Sequence, residues 1–175
     1  MSPLHVLTLA VHMTVTICGA DRVSGSELAK AEAIAADAYR DIGVLIEWHE
    51  ACGDARLTVH LVTSDAADPE GSLSKLALGY AQSGTQAATV LYDRVAAFAH
   101  TYHIKRQVLL GYTMAHELGH LLLPHGSHSL TGVMRGRWDG AQAKQATLGL
   151  LTFAPAEAAL IRDRLTACPS HMAHE

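Results

Sequence analysis

An α+β fold is expected of this sequence, on three observations. Apolar residues alternate with polar ones over residues 7–17 and again over 57–62; they recur at helical spacing over 28–39 and 158–165; and a largely apolar stretch fills the later part of residues 104–123. Period two marks a half-buried strand and period 3.6 an amphipathic helix, while a longer apolar stretch reads as a buried helix.

Taken in order, Leu7, Leu9, Val11, Met13, Val15 and Ile17 alternate with Thr8, Ala10, His12, Thr14 and Thr16. The run from Leu4 to Ile17, closing on Cys18-Gly19-Ala20, could be mistaken for a signal peptide. No Lys or Arg precedes it, however, and its alternation favours a long first strand. Ser24 or Ser26 can cap the helix that follows, with Glu27 in its first turn; Leu28, Ala31, Ile34, Ala35, Ala38 and Tyr39 form its apolar stripe and Gly43 ends it. Val44–His49 and Leu57–Val62 read as strands, residues 65–74 with Pro69 and Gly71 as a loop, Leu76–Gln82 as a short strand and Ala88–Asp93 as another. Residues 95–102 form a short helix or loop ahead of a long helix over 104–123. Residues 135–149 look irregular or weakly helical. Pro155 opens a C-terminal helix to Thr166, with Ala158, Leu160, Ile161 and Leu165 as its apolar face, and residues 169–175 are a tail.

A chain of 175 residues is sized for one domain, residues 1–175, and can bury a real core. Hydrophobic residues at 49% against 17% charged exclude a disordered chain. The net charge is −4 with histidines neutral, and no basic run exceeds Lys105-Arg106. Nucleic acid and anionic membranes are therefore not expected partners, and no apolar run suits a membrane span. Cys18, Cys52 and Cys168 make an odd count without C-x-x-C spacing, which disfavours a zinc ribbon or redox motif and leaves one disulfide of unassigned pairing open. Of twelve histidines, His5, His12, His49, His60, His100, His103, His171 and His174 lack metal-ligand spacing and are expected at the surface.

The remaining histidines carry the chemistry. His116-Glu117-Leu118-Gly119-His120 has the spacing H-E-x-x-H. On a helix the two imidazoles stand one turn apart on one face, so both reach a single metal ion at about 2.0–2.1 Å. Glu117 flanks that ion and suits a general base for a metal-activated water. Two helical histidines are also found as satisfied core residues, so the sequel matters. Pro124 stops the helix, His125, Gly126, Ser127 and His128 follow, and Met134 stands six residues beyond His128.

The stretch His116-Glu117-Leu118-Gly119-His120-Leu121-Leu122-Leu123, with His128-Ser129, Gly132-Val133-Met134-Arg135 and Trp138, resembles the metzincin metallopeptidases. Their pattern is H-E-x-x-H-x-x-G-x-x-H followed by a Met-turn, whose methionine underlies the metal. The wording also looks like a group of small bacterial matrixin-like proteins, over about residues 107–138. It departs from the pattern at two places: Leu123 stands for the glycine and Gly126 for the third histidine, as in a variant whose chain turns later. The resemblance implies a metzincin-like α+β fold: a twisted mixed sheet with a backing helix, an active-site helix, and a C-terminal helix after the Met-turn at Met134. Residues 1–123 would form the upper part and 124–175 the lower. It implies one catalytic Zn2+, a peptide or protein substrate, and a secreted or periplasmic location, although no signal peptide is evident; a monomer is expected. The short strand near 76–82 would lie antiparallel at the sheet edge over the cleft. Leu78, Gly79 and Tyr80 would then offer unpaired backbone groups to a peptide. Arg135, Arg137 and Trp138, just past the Met-turn, would line the pocket for the residue after the cleaved bond.

Three residues are candidates for the third ligand: His128, His125 and Glu157 of the C-terminal helix. His125 follows the helix stop too closely to turn back, whereas Gly126 can take the left-handed conformation that returns His128. The spacing to Met134 agrees with the resemblance, and Glu157 would imitate a different zinc-peptidase class. The expected function is a zinc-dependent metalloendopeptidase in which Glu117 takes a proton from water and passes it to the leaving amine. The competing reading is a zinc-stabilised domain that holds peptides without cutting them, against which stands Glu117, a residue that such a role does not require.

Overall fold

A computed structural model describes residues 10–49, 57–68, 70–82 and 85–167. The fold is α+β, built on a mixed five-stranded sheet in the order β2-β1-β3-β5-β4. Strand β1 is Val11–Cys18, β2 Val44–His49, β3 Leu57–Val62, β4 Gly79–Ala81 and β5 Ala87–Leu91. The first four strands of that order run parallel, and β4 pairs antiparallel to β5 with Gly79 opposite Val90 and Ala81 opposite Ala88.

Helix α1, Gly25–Arg40, connects β1 to β2. Ser24 caps it by accepting from Glu27 N at 3.3 Å, and Leu28, Ala31, Ala35, Ala38 and Tyr39 form its buried face. Opposite lies the long helix Arg106–Leu122, here α4 because the short α2 (Ser64–Ala67) and α3 (Tyr92–Thr101) precede it. The α1–α4 crossing is close at Gly111, where a Cβ would come within 2.6 Å of Ala31 O and 2.8 Å of Ile34 Cβ. Tyr39 donates its hydroxyl to Ala115 O at 3.2 Å, joining the backing helix to the turn that carries His116. The core is continuous through Val15, Ile17, Val59, Leu61, Val90, Leu110, Met114 and Leu118.

Several local expectations are corrected. The strand expected over 76–82 is cut to Gly79–Ala81, because Ala77 N bonds back to Ser74 O and Arg94 donates to the carbonyls of Ser74 and Ala77, holding a turn there. The loop at 65–74 opens with α2, whose first N–H is accepted by Asp93 of α3 at 2.8 Å. Residues 135–149 contain α5, Gly140–Thr147, capped by Asp139, which accepts from Ala141 N and Gln142 N. The last helix, α6, spans Pro155–Thr166 as expected, but Leu160 is 46% exposed and leaves the apolar face to Ala158, Ile161 and Leu165.

On β2, Trp48 keeps its indole N–H buried, without a hydrogen-bond partner among the described residues. Cys18 is disulfide-bonded, while Cys52 and Cys168 lie outside the described residues, as do residues 1–9 of the expected first strand, the expected turn residues Ser83 and Gly84, and the tail. Among the described residues no helix is long and apolar enough to cross a membrane.

Candidate metal centre

Helix α4 sets the geometry. His116 and His120 stand one turn apart and face the cleft, with their Nε2 atoms 3.0 Å apart. The helix ends at Leu122; Leu123, ahead of Pro124, is already extended, as a residue before proline prefers. The chain then reverses, with Gly126 at φ +75°, and brings His128 back. One ligand atom from each of His116, His120 and His128 lies within 4.8 Å of the other two. His125 and Glu157 are not in this cluster. Glu157 is engaged elsewhere, accepting from Ala154 N at 2.7 Å and from the Ser129 hydroxyl.

The loop behind His128 is tied at several points. Ser129 N donates to Met134 O at 2.8 Å, and Val133 N donates to Thr152 O at 3.0 Å. Val133 O in turn faces His116 Nδ1 at 2.7 Å. A carbonyl can only accept, so Nδ1 carries the proton and Nε2 keeps its lone pair toward the cluster. Met134 is fully buried under α4, so close that a Cβ at Gly119 would stand 2.4 Å from its sulfur. Gly136 gives the His128 ring similar room, since a Cβ there would meet its Cγ and Nδ1 at 2.8 Å.

Glu117 points into the space between α4 and β4. It is 4% exposed, and its Oε2 is buried without a partner among the described residues. Burial pushes its pKa up to about 8. Gly79 makes the close approach possible, because a Cβ there would meet Glu117 Oε1 at 2.8 Å and Thr89 O at 2.6 Å. Burial acts oppositely on the imidazoles, lowering His116 to about 4, and lowering His120 to about 4 with further repulsion from His116, His128 and His125. Both rings are then neutral near pH 7, the form that can ligate a metal.

A cavity of about 610 Å³ opens over these residues. Leu78, Gly79, Tyr80, Arg135 and Trp138 all line it, and the Trp138 ring lies 6.3 Å from that of Tyr112. Arg137 does not line it; it is exposed, and its carbonyl accepts from Arg135 Nε. Sequence reasoning missed the Val133 carbonyl and Gly136, neither of which carries a sequence signal, and Arg164 on the cavity wall; His125, weighed as a ligand, lies on that wall outside the cluster. No protein-family model matches the chain, and no curated protein matches it.

Proposed function

We propose that this chain is a zinc-dependent metalloendopeptidase of the metzincin type. The observation that carries the reading is the convergence of His116, His120 and His128 beside a buried carboxylate whose Oε2 has no partner, at the floor of an open cleft. The donor set fits zinc. Three imidazoles are ligands of the open, catalytic type, and two tetrahedral ligands at about 2.0–2.1 Å would lie ~3.3 Å apart, near the 3.0 Å between the His116 and His120 nitrogens. The Val133 carbonyl supplies the outer partner that such a histidine needs.

Bound there, the ion would contribute Lewis acidity toward a water and a peptide carbonyl. The remaining work falls to the chain. In its ionised form, which a neighbouring cation favours, Glu117 takes the proton of the attacking water and returns it to the leaving nitrogen, and no residue forms a covalent link to substrate. Its depth between α4 and β4 excludes competing water, and Gly79 lets the edge strand close over it. Leu78, Gly79 and Tyr80 offer the edge against which an extended peptide can lie.

Elemental analysis should find one zinc per chain. Glu117→Gln should keep that zinc and lose at least about 10²-fold in peptide hydrolysis. A zinc content near zero that added zinc cannot restore would overturn the reading. A zinc-loaded wild type that cuts no peptide would turn it to the non-cleaving binding domain.

A further inference from the structure

Away from Glu117, the Lys, Arg, Asp and Glu side chains that line the main cavity among the described residues are all arginines. Among the described residues lining the main cavity, Glu117 is the one acid, and it is buried against Gly79. Arg135 and Arg164 bring two guanidinium groups, although the chain as a whole carries −4. The two arginines differ in what they are free to do. Arg135 is committed, its Nη2 to Asp139 and its Nε to Arg137 O, both at 2.9 Å. Arg164, exposed on α6, makes no hydrogen bond or ion pair among the described residues.

Position adds to this freedom. A second cavity of about 230 Å³ lies between the N-terminal parts of β1 and β3 and the last turn of α4. Thr85, Gln86, Leu121 and Arg164 line both cavities. Leu121 directly follows the ligand candidate His120, so the main cavity runs as a groove from the three histidines past Leu121 to Arg164, and the second cavity adjoins it along that shared wall. Apart from the arginine, no Lys, Arg, Asp or Glu lines that end among the described residues.

We infer that Arg164 sets substrate preference by binding a carboxylate of the peptide in this groove. The inference rests on the peptidase reading and deepens it: the substrate class is acidic peptides. A guanidinium with no partner among the described residues presents a planar fork of donors that matches a carboxylate two bonds at a time. In a groove walled by protein, the pair is also less screened than on an open surface. The carboxylate has two sources, an acidic side chain or the chain terminus of a peptide, and the chemistry at Arg164 is the same for both.

The test is equilibrium binding to the zinc-loaded Glu117→Gln chain, which should hold peptides uncleaved, using matched peptides that carry Glu or Gln at scanned positions and end in a free or an amidated C-terminus. The acidic peptide should bind roughly 3- to 10-fold more tightly than its neutral analogue, and the preference should shrink between about 0.05 and 0.5 M salt. Adding Arg164→Ala should remove the preference and adding Arg164→Glu should reverse it. In a chain with Glu117 intact, Arg164→Ala should raise KM for the acidic peptide with little change in kcat. Loss of the preference on amidation alone identifies a terminal carboxylate; loss on Glu-to-Gln exchange identifies a side chain. Acidic and neutral peptides binding the Arg164→Glu chain in the wild-type ratio would overturn the inference. Arg164-dependent binding without any cleavage by wild type would uphold it while removing the peptidase reading beneath it.

Discussion

Glu117 sits where two demands conflict. Its carboxyl is raised to about 8 by burial, against an ordinary value of 4.5, so the folded metal-free chain holds a proton there that the unfolded chain has released. The stability tied to that proton is fully present below pH 4.5 and is lost as pH rises toward 8. His116 and His120, lowered to about 4 from 6.5, work in the opposite sense: their contribution is intact above pH 6.5 and is lost as pH falls toward 4. In chelator, Glu117→Gln should therefore be more stable than wild type at pH 8, with a gap that closes toward pH 5. Denaturant titrations at both pH values check this; a gap that does not change with pH would mean that burial is not what holds the proton. Gly79 is the companion test. Gly79→Ala places a methyl against Glu117 Oε1 and Thr89 O, so it should lower kcat by tenfold or more while zinc content stays at the wild-type level.

Helix against helix, the contact that orients the centre is the α1–α4 crossing at Gly111. Alanine is favoured over glycine inside a helix by about 1 kcal/mol. Here the added Cβ would meet Ala31 O at 2.6 Å, and overpacking of that kind costs typically 1–3 kcal/mol, so Gly111→Ala should destabilise on balance. A gain in Tm would show that the crossing yields easily. Elements with local signals were legible in the sequence: β2 falls on the mostly apolar run Val44–His49 after Gly43, β3 on the alternating Leu57–Val62, and α6 begins at Pro155. Elements that depend on distant partners were not. β4 lost its first residues to a turn held by Arg94, and α2 takes a capping carboxylate from Asp93, 29 positions away. Helix α5 buries little beyond Gln142, Ala143 and Ala146, too sparse an apolar face to stand out behind its cap at Asp139. In the site, the motif spacing brought His116, Glu117 and His120 to attention. The contacts of Gly79, Gly119 and Gly136 are matters of space between distant segments, which no spacing rule encodes.

Across the molecule, the three histidines join α4 to a loop that is itself tied to α6 through Ser129 and Glu157 and to residue 152 through Val133. A ligand held only by the folded arrangement is linked to global stability. At free zinc about 100-fold above Kd the gain is ~2.7 kcal/mol, which for a chain of this size is a rise in Tm of about 5–11 °C. His128→Ala should forfeit most of that rise, whereas His125→Ala and Glu157→Gln should keep it; the reverse pattern would move the third ligand. The two tryptophans are placed so that such changes can be seen by light emission. Trp48 lies on β2, its indole N–H shielded, while Trp138 lines the cleft beside Tyr112. One fluorophore therefore reports the sheet and the other whatever enters the groove. Trp48→Phe would leave a chain whose entire indole signal comes from the cleft wall, and a peptide arriving there would shift its colour before any bond is cut.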